Sequence, residues 1–310
     1  MKENNFISVV LYFYNIDNKK MSKLPRKLSE NLICNFKNYE VIIVNDGENQ
    51  NKVQKFVDDL SEYVNHNTIS VINFPSFVGI EKAMIAGNDL SIGDYIFEFD
   101  MLNAEYSDSI LMDAYRTALK GNDIVAVESK RMKSSLGTKI FYGLYNRGVK
   151  EDQAIHSEIF RVVSRRAFNR TKAMAKTIAY RKACYAACGL KRCAIVDDTT
   201  QDYKLHDTNE KYNRINLGID SLMIFTNTIQ KFSLFISLLF LALTICISVY
   251  IVGVFALSKP VAGWTPIMAY LSLGFFGIFA LFTIMLKYLS VILNMVFKSE
   301  NHLVESIKKI

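Results

Sequence analysis

The chain has 310 residues, half of them hydrophobic, and its 37 Lys and Arg against 30 Asp and Glu give a net charge of +7. That length suits one large domain plus a membrane unit, or two modest domains. Five cysteines, with Cys246 inside a long apolar run, imply no disulfide framework, and Cys184, Cys188 and Cys193 match no common zinc spacing. Taken in chain order, Ile7 to Phe13 is a continuous apolar run of the buried-strand kind, and Leu24 to Phe36 follows with helical periodicity. Tyr39 to Val44 reads as a second strand, ending in the turn signal Asn45-Asp46-Gly47. Lys52 to Val64 reads as a helix, Ile69 to Phe74 as a strand, and Gly79 to Leu90 as a helix. Asp94 to Phe99 is a strand running into Asp100, and Asp123 to Val127 is another. Such alternation predicts βαβ crossovers and a mostly parallel sheet with helices on both faces. Ligands of that architecture bind at the carboxyl ends of strands, and Asn15, Asp46 and Asp100 each fall just beyond one. Thr138 to Gly148 is amphipathic and aromatic, suiting either a membrane interface or a plain surface helix, and residues 213–230 read similarly.

Two later runs, Phe232 to Leu257 and Pro260 to Leu286, contain no charged residue. Each exceeds the roughly 20 residues that cross a bilayer's hydrocarbon core, so two transmembrane helices are expected, about 232–257 and 266–290. Between them Pro260, Gly263, Trp264 and Pro266 supply the turn and interfacial residues of a hairpin. The start of the chain lacks the form of a signal peptide. A hairpin puts both flanks on one side; its loop holds only Lys259, whereas the tail holds Lys298, Lys308 and Lys309, so the flanks are expected in the cytoplasm.

Residues 232–310 hold five Lys and two Glu, a charge of +3, which leaves +4 for residues 1–231. Much of the basic content of that region lies between Lys130 and Arg192, which suits anionic lipid headgroups or phosphorylated substrates. No nucleic-acid motif is present, and no nucleic-acid partner is expected.

Several segments together resemble family 2 glycosyltransferases of the GT-A (Rossmann-like) fold, specifically the polyisoprenyl-phosphate type that includes bactoprenol glucosyltransferases and dolichol-phosphate mannose synthases. They are Ile7-Ser8-Val9-Val10 through Asn15, Tyr39 through Gly47, and Gly79, Ala83 and Gly87 followed by Gly93-Asp94-Tyr95. Phe160-Arg161-Val162-Val163-Ser164-Arg165 and Glu210-Lys211-Tyr212 continue the likeness. The resemblance implies a cytoplasmic GT-A domain over 1–212, a juxtamembrane segment over 213–230, two membrane helices within 231–297, and a tail over 298–310. It implies an inverting transfer of a hexose from a nucleotide sugar to a polyisoprenyl phosphate at the cytoplasmic leaflet, serving cell-envelope polysaccharide or glycan modification. Membrane lipid is an implied partner, and a homo-oligomer is compatible with the reading. A processive polysaccharide synthase fits poorly, because the one tryptophan, Trp264, lies in the hairpin loop.

The family holds Mg²⁺ or Mn²⁺ with a D-x-D turn, for which this chain has Asp100-Met101-Leu102; the second carboxylate is a leucine. Asp100 is thereby implied as the surviving metal ligand, as a catalytic residue with Arg161, and as a nucleotide-sugar contact with Asn15 and Asp46. Lys130, Arg131, Arg147 and Arg165 are implied for the lipid phosphate, the alternative for each being a solvated surface charge. The missing carboxylate also supports a second reading, a degenerate relative that binds or scaffolds without catalysis.

Overall fold

A computed structural model of the chain describes residues 2–16, 24–65, 68–102, 106–129, 136–174, 180–198, 215–222 and 306–309, with scattered helical positions between 235 and 292. The chain divides into two compact units, Met1–Gly218 with Glu300–Ile310, and Ile219–Ser299.

The first unit alternates as the apolar pattern predicts. Strand β1 (Glu3–Phe13) is followed by helix α1 (Leu24–Asn35), β2 (Phe36–Asp46), α2 (Gln50–Ser61), β3 (Ile69–Phe74), α3 (Ile80–Leu90) and β4 (Tyr95–Phe99). Then come α4 (Ile110–Leu119), β5 (Ile124–Ser129), α5 (Leu136–Gly148), β6 (Glu158–Ser164), α6 (Arg165–Met174), α7 (Arg181–Ala187) and β7 (Arg192–Asp197). A last short strand, β8 (Ser306–Lys309), comes from the tail. The sheet order is β7-β5-β6-β4-β1-β2-β3-β8. β1 pairs in parallel with β2 and β4, and β2 with β3, while β6 runs antiparallel to both β4 and β5. β8 pairs antiparallel with the edge of β3, so the tail, expected only as a cytoplasmic extension, completes the sheet.

The period-two alternation of strand side chains divides the core. Val9, Leu11 and Phe13 of β1 with Val41 and Ile43 of β2 join one apolar cluster, beneath residues of α1, α2 and α4. Val10, Tyr12, Ile42 and Val44 join the other, with Ala83 and Met84 of α3, Phe168 of α6 and Tyr185 of α7. α3 lies so close to the sheet that a Cβ on Gly87 would come within 2.5 Å of Val10 Cγ1 and 2.7 Å of Val44 Cγ2.

In the second unit, residues such as Phe235, Leu239, Phe282, Met285 and Leu289 are helical and exposed. Among the described residues no helix is long and apolar enough to cross a membrane. The two expected spans and their connecting loop fall largely outside the described residues, as do Lys211 and Tyr212.

Candidate active site at the carboxyl edge of the sheet

Because β1, β2, β3 and β4 are parallel, their carboxyl ends share one edge. Asn15 follows β1 there, exposed and in the left-handed region at φ 49°, a conformation Asn tolerates better than most residues. Its backbone N–H donates to Glu48 Oε1 at 2.8 Å, which ties the end of β1 to the turn after β2. Asn45 braces that turn: its Oδ1 accepts from the Glu48 N–H, and its Nδ2 donates to the Glu48 carbonyl and to Asn73 Oδ1 on β3. Gly47 (φ 80°) lies against the loop after β3, where a Cβ would meet Phe77 N at 2.8 Å. The ring of Tyr14 packs on Phe77 beside it, centroids 4.7 Å apart.

Asp46 closes the same loop from beneath. Its Oδ1 accepts from Val78 N at 2.7 Å, and its Oδ2 from Gly79 N at 3.0 Å and from the Tyr12 hydroxyl at 2.8 Å. The side chain is fully buried. Burial pushes its carboxyl above the ordinary carboxylate range, and the three donors offset only part of that rise. The sequence places Asp46 at a nucleotide; the fold engages both of its oxygens inside the protein, where they shape the loop.

Asp100, at the end of β4, has other company. Its Oδ2 accepts from Arg161 Nη2 at 2.5 Å and its Oδ1 from Arg181 Nη2 at 2.7 Å. Arg161 on β6 also donates through Nη1 to Glu98 and through Nε to Glu158. Arg181, at the start of α7, donates through Nη1 to Glu98 and through both Nε and its backbone N–H to Glu81. Glu98 is further bound by Asn88 and the Tyr185 hydroxyl. Arg161 and Arg181 are 3% and 1% exposed, whereas Asp100, 18% exposed, is the cluster's outward member. Lys182 and Arg192 approach Glu158 within 4.0 and 3.8 Å, so four cations face four carboxylates and the cluster balances. Burial alone would raise the Asp100 carboxyl, but Arg161 and Arg181 outweigh it and hold the group well below the usual range.

This arrangement bears on the expected metal. Mg²⁺ or Mn²⁺ at Asp100 would sit beside two guanidinium groups already bonded to the carboxylate. With both of its oxygens bonded to guanidinium groups in a balanced cluster, Asp100 offers little net negative charge to offset an ion's lost hydration. Leu102, at the position of the missing carboxylate, is 5% exposed and belongs to the apolar core with Phe99, Tyr106 and Phe160. Among the described residues, no three His, Cys, Asp or Glu side chains are grouped to hold an ion. The described residues do not fit the divalent ion expected at Asp100; Asn103 and Glu105 lie outside them.

The remaining basic residues separate by strand direction. β6 runs against β4, with Ser164 opposite Tyr95, so Arg165 lies at the amino edge of the parallel strands. Its Nε donates to the Gly93 carbonyl and its Nη2 to Ser91 Oγ, and it braces the turn into β4. Its expected place was at a lipid phosphate. Arg147 is exposed on α5. β5 runs with β4 and ends at Ser129 on the carboxyl edge; Lys130 and Arg131 follow in the chain but lie outside the described residues. Sequence reading missed Arg181, which belongs to no motif and lies 81 residues from Asp100.

The glycosyl transferase family 2 pattern matches residues 8–170, just over half of the chain. A protein of Synechocystis sp. described as an uncharacterized glycosyltransferase is 22% identical over 227 residues, covering 71% of this chain and 69% of that protein. Among solved structures, a mycobacterial protein superposes with a TM-score of 0.51 at 12% identity, over 72% of this chain and 75% of that one. Glucosyl-3-phosphoglycerate synthase from Mycobacterium tuberculosis, in complex with Mn²⁺, uridine-diphosphate-glucose and phosphoglyceric acid, gives 0.46 at 12% identity, over 71% and 79%. At that identity the likeness to the mycobacterial protein is one of fold. The match over 8–170, on a GT-A-like sheet with its polar residues gathered at the carboxyl edge, shows that the chain belongs to glycosyl transferase family 2.

Proposed function

We propose that this glycosyltransferase moves a hexose from a nucleotide sugar to a polyisoprenyl phosphate at the cytoplasmic leaflet, for cell-envelope polysaccharide or glycan modification. The observation that carries the reading is the pair of uncharged apolar runs, 232–257 and 260–286, in the same chain as a family 2 domain. Exposed apolar side chains at helical positions of the second unit, Phe235, Phe282 and Met285 among them, suit lipid as their surroundings. The enzyme is accordingly a multi-pass protein of the cell membrane with its catalytic domain in the cytoplasm.

The chemistry asks little of a general base. A phosphate oxygen of the acceptor attacks the anomeric carbon, the bond from that carbon to the diphosphate breaks, and the electron pair leaves with the nucleoside diphosphate. No proton has to be removed to create the nucleophile, so the protein's task is to orient donor and acceptor and to tolerate the leaving charge. In this reading the donor lies over Tyr14, Asn15 and the loop that Asp46 holds, its diphosphate towards Asp100. The cations proposed for the acceptor phosphate are Lys130, Arg131 and Arg147. Mg²⁺ or Mn²⁺ is left out because the described residues around Asp100 do not fit it.

The test is transfer by the full-length protein in lipid nanodiscs, with polyprenyl phosphate and a panel of radiolabelled nucleotide sugars. Label should enter the organic phase with one donor, and only when the acceptor is present. Transfer to a soluble acceptor alone would overturn the lipid reading. Donor binding without transfer to any acceptor would favour the degenerate relative.

A further inference from the structure

We propose that the donor site works without a divalent ion at Asp100: Arg161 and Arg181 take up both of its carboxylate oxygens and, with their glutamates, close a charge-balanced cluster at the end of β4. The inference rests on the reading of this edge as a nucleotide-sugar site.

Three independent features converge on it. Each Asp100 oxygen is bonded to a different guanidinium, at 2.5 and 2.7 Å. Neither arginine is free to swing aside, since Arg161 is held by Glu98 and Glu158 as well, and Arg181 by Glu81 and Glu98. The position from which a second carboxylate would complete an ion site is filled by Leu102, packed into the apolar core. Arginine suits the task of holding Asp100, because its planar fork stays charged at any working pH and meets several carboxylates in fixed directions. The cluster also accounts for Arg181, which no motif indicates: it is a positioning residue that ties α7 and Glu81 of α3 to the strand end.

The two possible roles of Asp100 predict opposite signs for one substitution. A metal ligand changed to Asn loses the ion, and donor affinity falls. An anchor changed to Asn removes a negative charge from beside an anionic diphosphate while both arginines remain held by glutamates, so affinity holds or rises.

Calorimetry on the full-length protein with UDP and GDP, in EDTA, Mg²⁺ and Mn²⁺, reads this directly. The wild type should bind one nucleotide with affinities in the three buffers within about threefold of one another. Asp100→Asn should bind at least as tightly while its melting temperature drops. Binding by the wild type only in Mg²⁺ or Mn²⁺ would overturn the proposal, as would loss of affinity in a folded Asp100→Asn protein. If neither nucleotide binds in any buffer, the donor-site reading itself fails. Mn²⁺ paramagnetic resonance on the protein alone then decides the present point. Absence of bound Mn²⁺ supports it, and a bound ion lost in Asp100→Asn refutes it. Should Asp100→Asn not fold, the wild-type comparison across the three buffers still decides.

Discussion

Asp46 ends β2 and Asp100 follows β4, the two strands that flank β1 in parallel, yet the fold surrounds them with opposite electrostatics. Asp46 is met by neutral donors, two backbone N–H groups and one hydroxyl, and its carboxyl is shifted upward by burial. Asp100 is met by two guanidinium groups, and its carboxyl is shifted downward against the effect of burial. Identical residues at equivalent strand ends therefore do different work. One holds a loop with hydrogen bonds; the other closes a charge-balanced cluster whose glutamates depend on their arginines.

The sharpest way to break that contrast is to remove a cation from the second site. Arg181→Ala leaves Glu81, Glu98 and Asp100 each short of a partner in a buried setting, and stability should fall by about 3–5 kcal/mol in urea denaturation. A loss below about 1 kcal/mol would mean that the cluster contributes little.

Titration exposes the contrast in sign. Asp100 has a folded pKa below its unfolded value of about 3.9. As pH falls below that value the unfolded chain binds a proton that the folded chain refuses, so stability is lost on acidification. Asp46 has a folded pKa above about 3.9, so in the window just above that pH the folded chain keeps a proton that the unfolded chain has released. Its contribution therefore falls as pH rises through that window. Urea midpoints followed between about pH 2 and 6 should lose the first slope in Asp100→Asn and the second in Asp46→Asn. The same slope lost in both variants would erase the distinction.

At the Asp46 loop, Gly47→Ala puts a Cβ against Phe77 N at a positive φ, and a cost of about 1–3 kcal/mol is expected. Donor affinity should weaken with it, because the strained turn lies beside Asn15. The smallest effect belongs to Arg165, at the far edge of the sheet. Arg165→Gln should lower the melting temperature slightly and leave transfer to polyprenyl phosphate unchanged; a loss of transfer with the fold intact would put Arg165 at the lipid phosphate.

The β1–β4 half of the sheet was legible because strands buried on both faces are continuous apolar runs, and their helices carry an apolar stripe. Ile69–Phe74 was read to the residue. Beyond Ser129 the pattern thins. β6 was recognised only as a motif, and nothing in Phe160 to Arg165 announces that the strand runs backwards. That reversal decides which edge Arg165 occupies. The Leu102 departure was plain in the sequence; that the leucine packs into the core was not.

Composition and periodicity alone determined that this chain pairs an α/β domain with long uncharged apolar runs, and they marked the strand ends where chemistry belongs. These are local properties, set by which residues tolerate burial at a period of two or 3.6. Tertiary structure decided the partners of each marked carboxylate. Arg161 reaches Asp100 across a strand pair, and Arg181 reaches it from a helix 81 residues away. A carboxylate's charge state and role depend on groups within a few ångströms, and chain order does not encode that distance.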